Sequence, residues 1–153
     1  MKKFYFSLER VLSYKQQIED SLRSEHGQAV RNVQDKQAVI DRLEQEFQSA
    51  RKSIELTKEK KVSVTELKDC ERYIEGIISR IASEKKELLH LKELEAQKRE
   101  RVIEAKKETA SIQNLKDKRS SEYGAMIAKM NEIEIEEFVS NRILAKQRMS
   151  NTV

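Results

Sequence analysis

The chain has 153 residues, of which 31 are Lys or Arg and 27 are Asp or Glu, with three Gly, no Pro, no Trp, one Cys and 5% aromatics. At ordinary usage a chain of this length would carry about 8 Pro and 11 Gly, so the turn chemistry of a sandwich, a barrel or a doubly wound sheet is missing. With 38% charged and 37% hydrophobic residues, it is too charged for an ordinary globular core and too apolar for a disordered chain, which leaves long amphipathic helix.

From Val11 onward the residues at steps of three and four are Val11, Lys15, Ile18, Leu22, Glu25, Ala29, Val33, Lys36, Ile40, Leu43, Phe47, Ala50 and Ile54. That is the spacing of a coiled-coil seam, with one residue of drift between Ala29 and Val33. It predicts a first helix over about residues 7–57. The stretch Thr57-Lys58-Glu59-Lys60-Lys61-Val62 has no periodic apolar residue, so residues 58–63 read as a tip. Ser63 followed by Glu66 has the spacing of a capping box, in which hydroxyl and carboxylate each satisfy a free backbone amide at a helix start.

A second helix is therefore expected over about residues 64–147. Its seam runs Leu67, Cys70, Ile74, Ile77, Ile81, Glu84, Leu88, Leu91, Glu95, Lys98, Val102, Ala105, Thr109, Ile112, Lys116, Arg119, Tyr123, Met126, Met130 and Ile133. At 1.5 Å per residue the two helices would measure roughly 75 Å and 125 Å.

If the chain folds back at the tip, facing residues have position numbers that add to a constant. A constant of 120 or 121 pairs Ile54 with Leu67, Ala50 with Cys70, Phe47 with Ile74, Leu43 with Ile77, Ile40 with Ile81, Val33 with Leu88, Ile18 with Val102 and Leu8 with Ile112. The polar seam residues Lys36 and Glu84 find each other in the same register. The expected fold is thus all-α: a long two-helix antiparallel coiled-coil hairpin, one unit over residues 1–153, with an overhanging C-terminal helix. The same register sets Glu25 against Glu95, two like charges beside the helix-weakening Gly27, and so predicts a weak joint there.

Several function classes drop out. The net charge of +4 is spread evenly, with 13 basic and 10 acidic side chains in residues 1–62, whereas nucleic-acid binders gather positive charge on one face or tail. No apolar run approaches the roughly 18 residues of a membrane span, and the first residues lack the apolar stretch of a signal peptide. A soluble, internal protein is the expectation, without nucleic acid as a partner and without direct membrane insertion. No glycine-rich phosphate loop, paired histidines or nucleophile with a base is present, so no catalytic residue, cofactor or metal is expected. His26 and His90 read as ordinary helix residues, and Cys70 as a seam thiol opposite small Ala50.

The opening Phe4-Tyr5-Phe6-Ser7-Leu8-Glu9-Arg10-Val11-Leu12-Ser13-Tyr14-Lys15 resembles the start of the FliJ family of flagellar export proteins, in which Phe-x-Phe-x-Leu-x-x-Leu/Val-Leu leads into a long charged helix. Val64 to Ile81, with Tyr73-Ile74, looks like that family's second helix after its tip, and Glu136-Glu137-Phe138 with Arg142 is similar to its C-terminal pattern. The resemblance implies a non-enzymatic stalk component of the flagellar type III export ATPase complex, serving motility at the cytoplasmic face of the cell membrane. Implied partners are the hexameric export ATPase, its regulatory stator-like protein, the cytoplasmic domain of the export gate, and export chaperones. Carried over by position, Phe4, Phe6, Tyr123, Met126, Met130, Ile133, Phe138 and Arg142 would meet the ATPase ring, and Val39, Leu43, Tyr73 and Ile77 the export gate.

Two other readings stay open: a self-associating coiled-coil scaffold, and the stalk of an injectisome or another rotary ATPase. The C-terminal overhang, expected to outrun helix one by about 30 residues, is open in the same way. It continues straight, folds back at Gly124, or pairs with another copy.

Overall fold

The computed structural model describes residues 3–150. Among these the chain forms two helices and no strand: α1, Glu9–Glu59, and α2, Val64–Ser150. Both limits of α1 lie two residues later in the chain than the 7–57 expected. Ser7 and Leu8 form a turn ahead of it, held by the Glu9 amide donating to the Phe6 carbonyl at 3.2 Å. At the tip, Ser63 Oγ accepts the Thr65 amide at 3.2 Å, which caps the start of α2 through the hydroxyl's half of the expected Ser63–Glu66 pattern. Lys58 in the last turn of α1 and Glu66 in the first turn of α2 both complement their helix dipoles.

Two compact units make up the chain, one over Gln17–Lys106 and the other combining the residues up to Gln16 with those from Lys107 onward. Within the first, the helices pack antiparallel about the expected seam. Ala29, Ile40, Leu43, Ile54, Ile77, Leu88 and Ala105 are buried there, and Leu67, Cys70, Ile74, Ile81 and Leu91 are partly buried between them. A two-helix seam has solvent along both flanks, which is why most of its members are covered on one side only. Lys36, Glu84 and Glu87 form a cross-seam cluster in which the ammonium donates to both carboxylates at 2.7 Å, as the matched register of Lys36 and Glu84 requires. These bonds, that to Glu84 foremost, hold the Lys36 ammonium above its ordinary pKa.

The seam of α1 departs from expectation toward its start. Besides Ile18, Gly27, Val30 and Val39, which are also partly buried, its buried or partly buried members are Leu12, Lys15, Glu19, Leu22, His26, Ala29, Val33, Lys36, Ile40, Leu43, Phe47, Ala50, Ile54 and Thr57, while Val11 and Glu25 are exposed. Steps of three and four alternate through this set without interruption. The drift expected between Ala29 and Val33 therefore does not exist. It came from placing Val11 in the seam instead of Leu12, one residue away.

The corrected frame removes the expected clash of Glu25 with Glu95. His26 Nε2 lies 2.7 Å from Glu95 Oε1 across the seam, and Lys98 Nζ lies 3.5 Å from Glu25. Each carboxylate thus meets a basic group from the facing helix. Glu19, the other polar residue brought into the seam, accepts from Arg23 one turn on at 2.7 Å. Among the described residues no buried side-chain nitrogen or oxygen lacks a hydrogen-bond partner, so the polar layers incur no unmet desolvation.

In the second unit the segment before α1 is a strap rather than helix. Phe4, Phe6 and Leu8 are covered while Lys3, Tyr5 and Ser7 are exposed, the alternation of an extended chain laid against a surface. Phe4 stacks on Tyr123 with ring centroids 5.7 Å apart, and the Arg119 guanidinium stands 5.9 Å above the Phe6 ring. Arg119 also donates to Ser7 Oγ at 3.4 Å, and Lys116 to Glu9 at 2.8 Å. Leu8 was expected opposite Ile112; instead the strap advances farther along α2. The Glu9–Lys116 and Phe4–Tyr123 contacts set five positions of the strap against seven of α2, because a residue outside a helix advances farther than a helical one.

Candidate functional site

Two surfaces arise from this packing. The first is the stretch of α2 beyond the strap. From Ala128 to Arg148 every residue is exposed, and α2 runs through Gly124 as one helix without a break. The fold-back alternative at Gly124 is thereby removed. Met126, Met130 and Ile133 continue the three-four spacing of the seam, and each has about half its surface in water.

Farther along, Ile135, Phe138, Val139 and Ile143 form a second exposed apolar set, with Phe138 65% exposed. At 100° per residue, Val139 stands about half a turn around the helix from Met130. The overhang therefore carries apolar surface on opposite sides at successive heights. Ile135 and Val139 were not singled out from the sequence, because they lie off the seam and only the exposure of the whole segment makes them available. Arg142 and Lys146 flank the second set and line a shallow groove with Phe138, Val139 and Ile143.

The strap residues expected to meet a ring differ among themselves. Phe6 is only 4% exposed, so its ring is core and offers no surface; its part is to fix the strap on α2. Phe4 and Tyr123 are partly buried on each other and present the edge of a stacked pair at the base of the overhang.

The second surface lies beside the tip. Tyr73 is 53% exposed, one position off the seam, as its spacing predicts, and Val39 is partly buried. Leu43 and Ile77 are each 5% exposed. They are seam residues that set the spacing of the helices and offer almost no surface of their own, in contrast to the exposed placement expected of them. The Tyr73 hydroxyl donates to the Glu46 carboxylate of α1, and that bond raises the phenol pKa above its ordinary value. On the other flank Phe47, Ile78 and Ile81 line an open groove of about 300 Å³ beside the Lys85–Glu44 ion pair, 2.8 Å long. Ile78, half exposed there, was not singled out from the sequence.

Among the described residues no group of three or more His, Cys, Asp or Glu side chains is placed to hold a metal ion, and no helix is long and apolar enough to cross a membrane. What the chain presents is two helices with exposed apolar side chains at a bare end and beside a tip. A family model described as Flagellar FliJ protein matches residues 4–148, from the strap through the overhang. The chain belongs to the FliJ family. Comparisons with curated proteins and with solved structures find no match. FliJ membership makes the chain a component of the flagellar protein export apparatus, and the matched span includes both the strap and the bare end of α2.

Proposed function

We propose that this FliJ-family chain is the non-enzymatic stalk of the flagellar type III export ATPase complex: the overhang of α2 enters the hexameric ATPase ring and stimulates it, and the surface beside the tip meets the cytoplasmic domain of the export gate. The observation that carries the reading is the overhang, exposed on every side from Ala128 to Arg148 and apolar on opposite sides at different heights. A partner that docks against one face would leave the other in water. A surrounding ring meets both, and flexible Met side chains suit contacts that change from subunit to subunit. Phe4, Tyr123, Met126, Met130, Ile133, Phe138 and Arg142 are the residues assigned to the ring, with Phe6 holding the strap beneath them. Tyr73 and Val39 are assigned to the gate. The stator-like regulator and the export chaperones are further partners of the same complex, which places the chain at the cytoplasmic face of the membrane.

Truncation after Gly124 tests this, because it removes the overhang and spares the Phe4–Tyr123 stack. The shortened chain is expected to keep its melting temperature and to lose stimulation of the purified export ATPase and its assembly into hexamers. Phe138→Asp is expected to reduce stimulation in the same direction. Full stimulation by the truncated chain overturns the assignment.

A further inference from the structure

The stripe on the overhang continues an interface that is occupied upstream. As far as Tyr123 the seam face of α2 is covered by α1 and then by the strap. Beyond it Met126, Met130 and Ile133 keep the same three-four spacing, each about half exposed. A stripe of that period fits another helix, since knobs at these positions need the holes of a facing helix.

The charges beside the stripe change character at the same point. In the covered seam, cross-helix pairs use both signs from α2: Lys116 to Glu9 and Lys98 to Glu25, but Glu84 to Lys36 and Glu108 to Lys15. Over residues 122–137, in contrast, α2 carries Glu122, Glu132, Glu134, Glu136 and Glu137 against a single base, Lys129. Glu122, Glu134 and Glu136 fall at the positions flanking the stripe, where inter-helix ion pairs form, with Lys129 the one base among them.

We infer that residues 124–137 dock an amphipathic α-helix of a partner protein whose apolar stripe is flanked by Lys and Arg. A second copy of this chain is disfavoured as the occupant, because it would bring together two segments that each carry five Glu and one Lys, with Lys129 to Glu134 the one attractive flanking pair in parallel register. The inference rests on the stalk reading for its biological partner, but the surface itself is tested without the ATPase.

The probes are two synthetic amphipathic helices of about 21 residues with the same Leu and Ile stripe, one flanked by Lys and one by Glu. Binding of each to the full-length chain is followed by fluorescence anisotropy. The Lys-flanked helix is expected to bind at least about tenfold more tightly, with the preference shrinking as salt rises. Met130→Glu is expected to abolish binding while leaving helicity unchanged, because Met130 is half exposed. Glu134→Gln with Glu136→Gln is expected to narrow the preference and retain the apolar contact. Equal binding of both helices, binding that survives Met130→Glu, or sedimentation of the chain as a dimer that the Gly124 truncation abolishes would each overturn the inference. These outcomes are separable from the stalk reading, which fails on ATPase stimulation alone.

Discussion

Replacing Ile40 by Ala probes the hairpin where it is best packed. Ile40 is 1% exposed, the one large hydrophobic side chain among the described residues that is fully enclosed, and it stands between the Lys36–Glu84–Glu87 cluster and the Leu43 and Ile77 layer. Truncating a buried Ile to Ala costs about 2–5 kcal/mol, combining lost transfer free energy with the cavity left behind. In a two-helix seam water reaches both flanks and the helices can close slightly, so the lower part of that range, about 2–3 kcal/mol, is expected. For a chain of 153 residues each kcal/mol shifts melting by about 2–4 °C, so far-ultraviolet circular dichroism should register a fall of about 4–12 °C. Met130→Ala is the control: half exposed and without a facing helix, it should change stability by less than about 0.5 kcal/mol. Equal losses for the two variants would mean that the overhang is as well covered as the seam, and the packing described above would be wrong.

The raised pKa of Lys36 and of Tyr73 makes a pH prediction with a definite sign. Each favours its protonated form in the fold, so the stability it contributes is complete below the unfolded value, near pH 10, and is lost as pH rises through the folded one. Melting should therefore be flat on this account up to about pH 10 and fall above it, less so in Lys36→Arg with Tyr73→Phe; an unaltered alkaline fall in that variant would count against both bonds. Gly27 and Gly76 lie within helices, and a Cβ at either meets nothing within 4 Å, so each Gly→Ala should stabilise by about 0.5–1 kcal/mol in denaturant titration. A destabilised variant would point to a contact absent from this structure. A double-mutant cycle on His26→Ala and Glu95→Ala should return a coupling of about 0.5–1 kcal/mol for this partly exposed pair, and no coupling would make the pair incidental.

The seam from Val33 to Ile54 and from Leu67 to Tyr123 was legible because apolar residues dominate it and the two stripes confirm one another through a constant register. Near the start of α1 the sequence supports two frames one residue apart. Counting apolar residues favours Val11 and Ile18 over Leu12 and Glu19, and the right frame is recognised only from across the seam, where Glu95 gives His26 its partner. Local pattern holds no such information. The strap was legible in principle: Phe4, Phe6 and Leu8 alternate at a spacing of two, the period of extended chain rather than helix. For the docking surfaces, Tyr73 followed from standing one place off the seam, and Leu43 and Ile77 from the same logic belong inside it. Ile135 and Val139 escaped notice because the helical stripe changes face beyond Ile133, and a bare helix exposes every face.

Site-specific photo-crosslinking tests the stalk assignment most directly. A photoreactive residue is placed singly at Met126, Met130 or Phe138 on the overhang, and at Leu56 as an exposed position in α1 away from it, and each chain is illuminated with the assembled export ATPase. Adducts to the ATPase are expected from the three overhang positions and not from Leu56. Adducts confined to Leu56, or crosslinks from the overhang only to another copy of the same chain, would contradict the assignment.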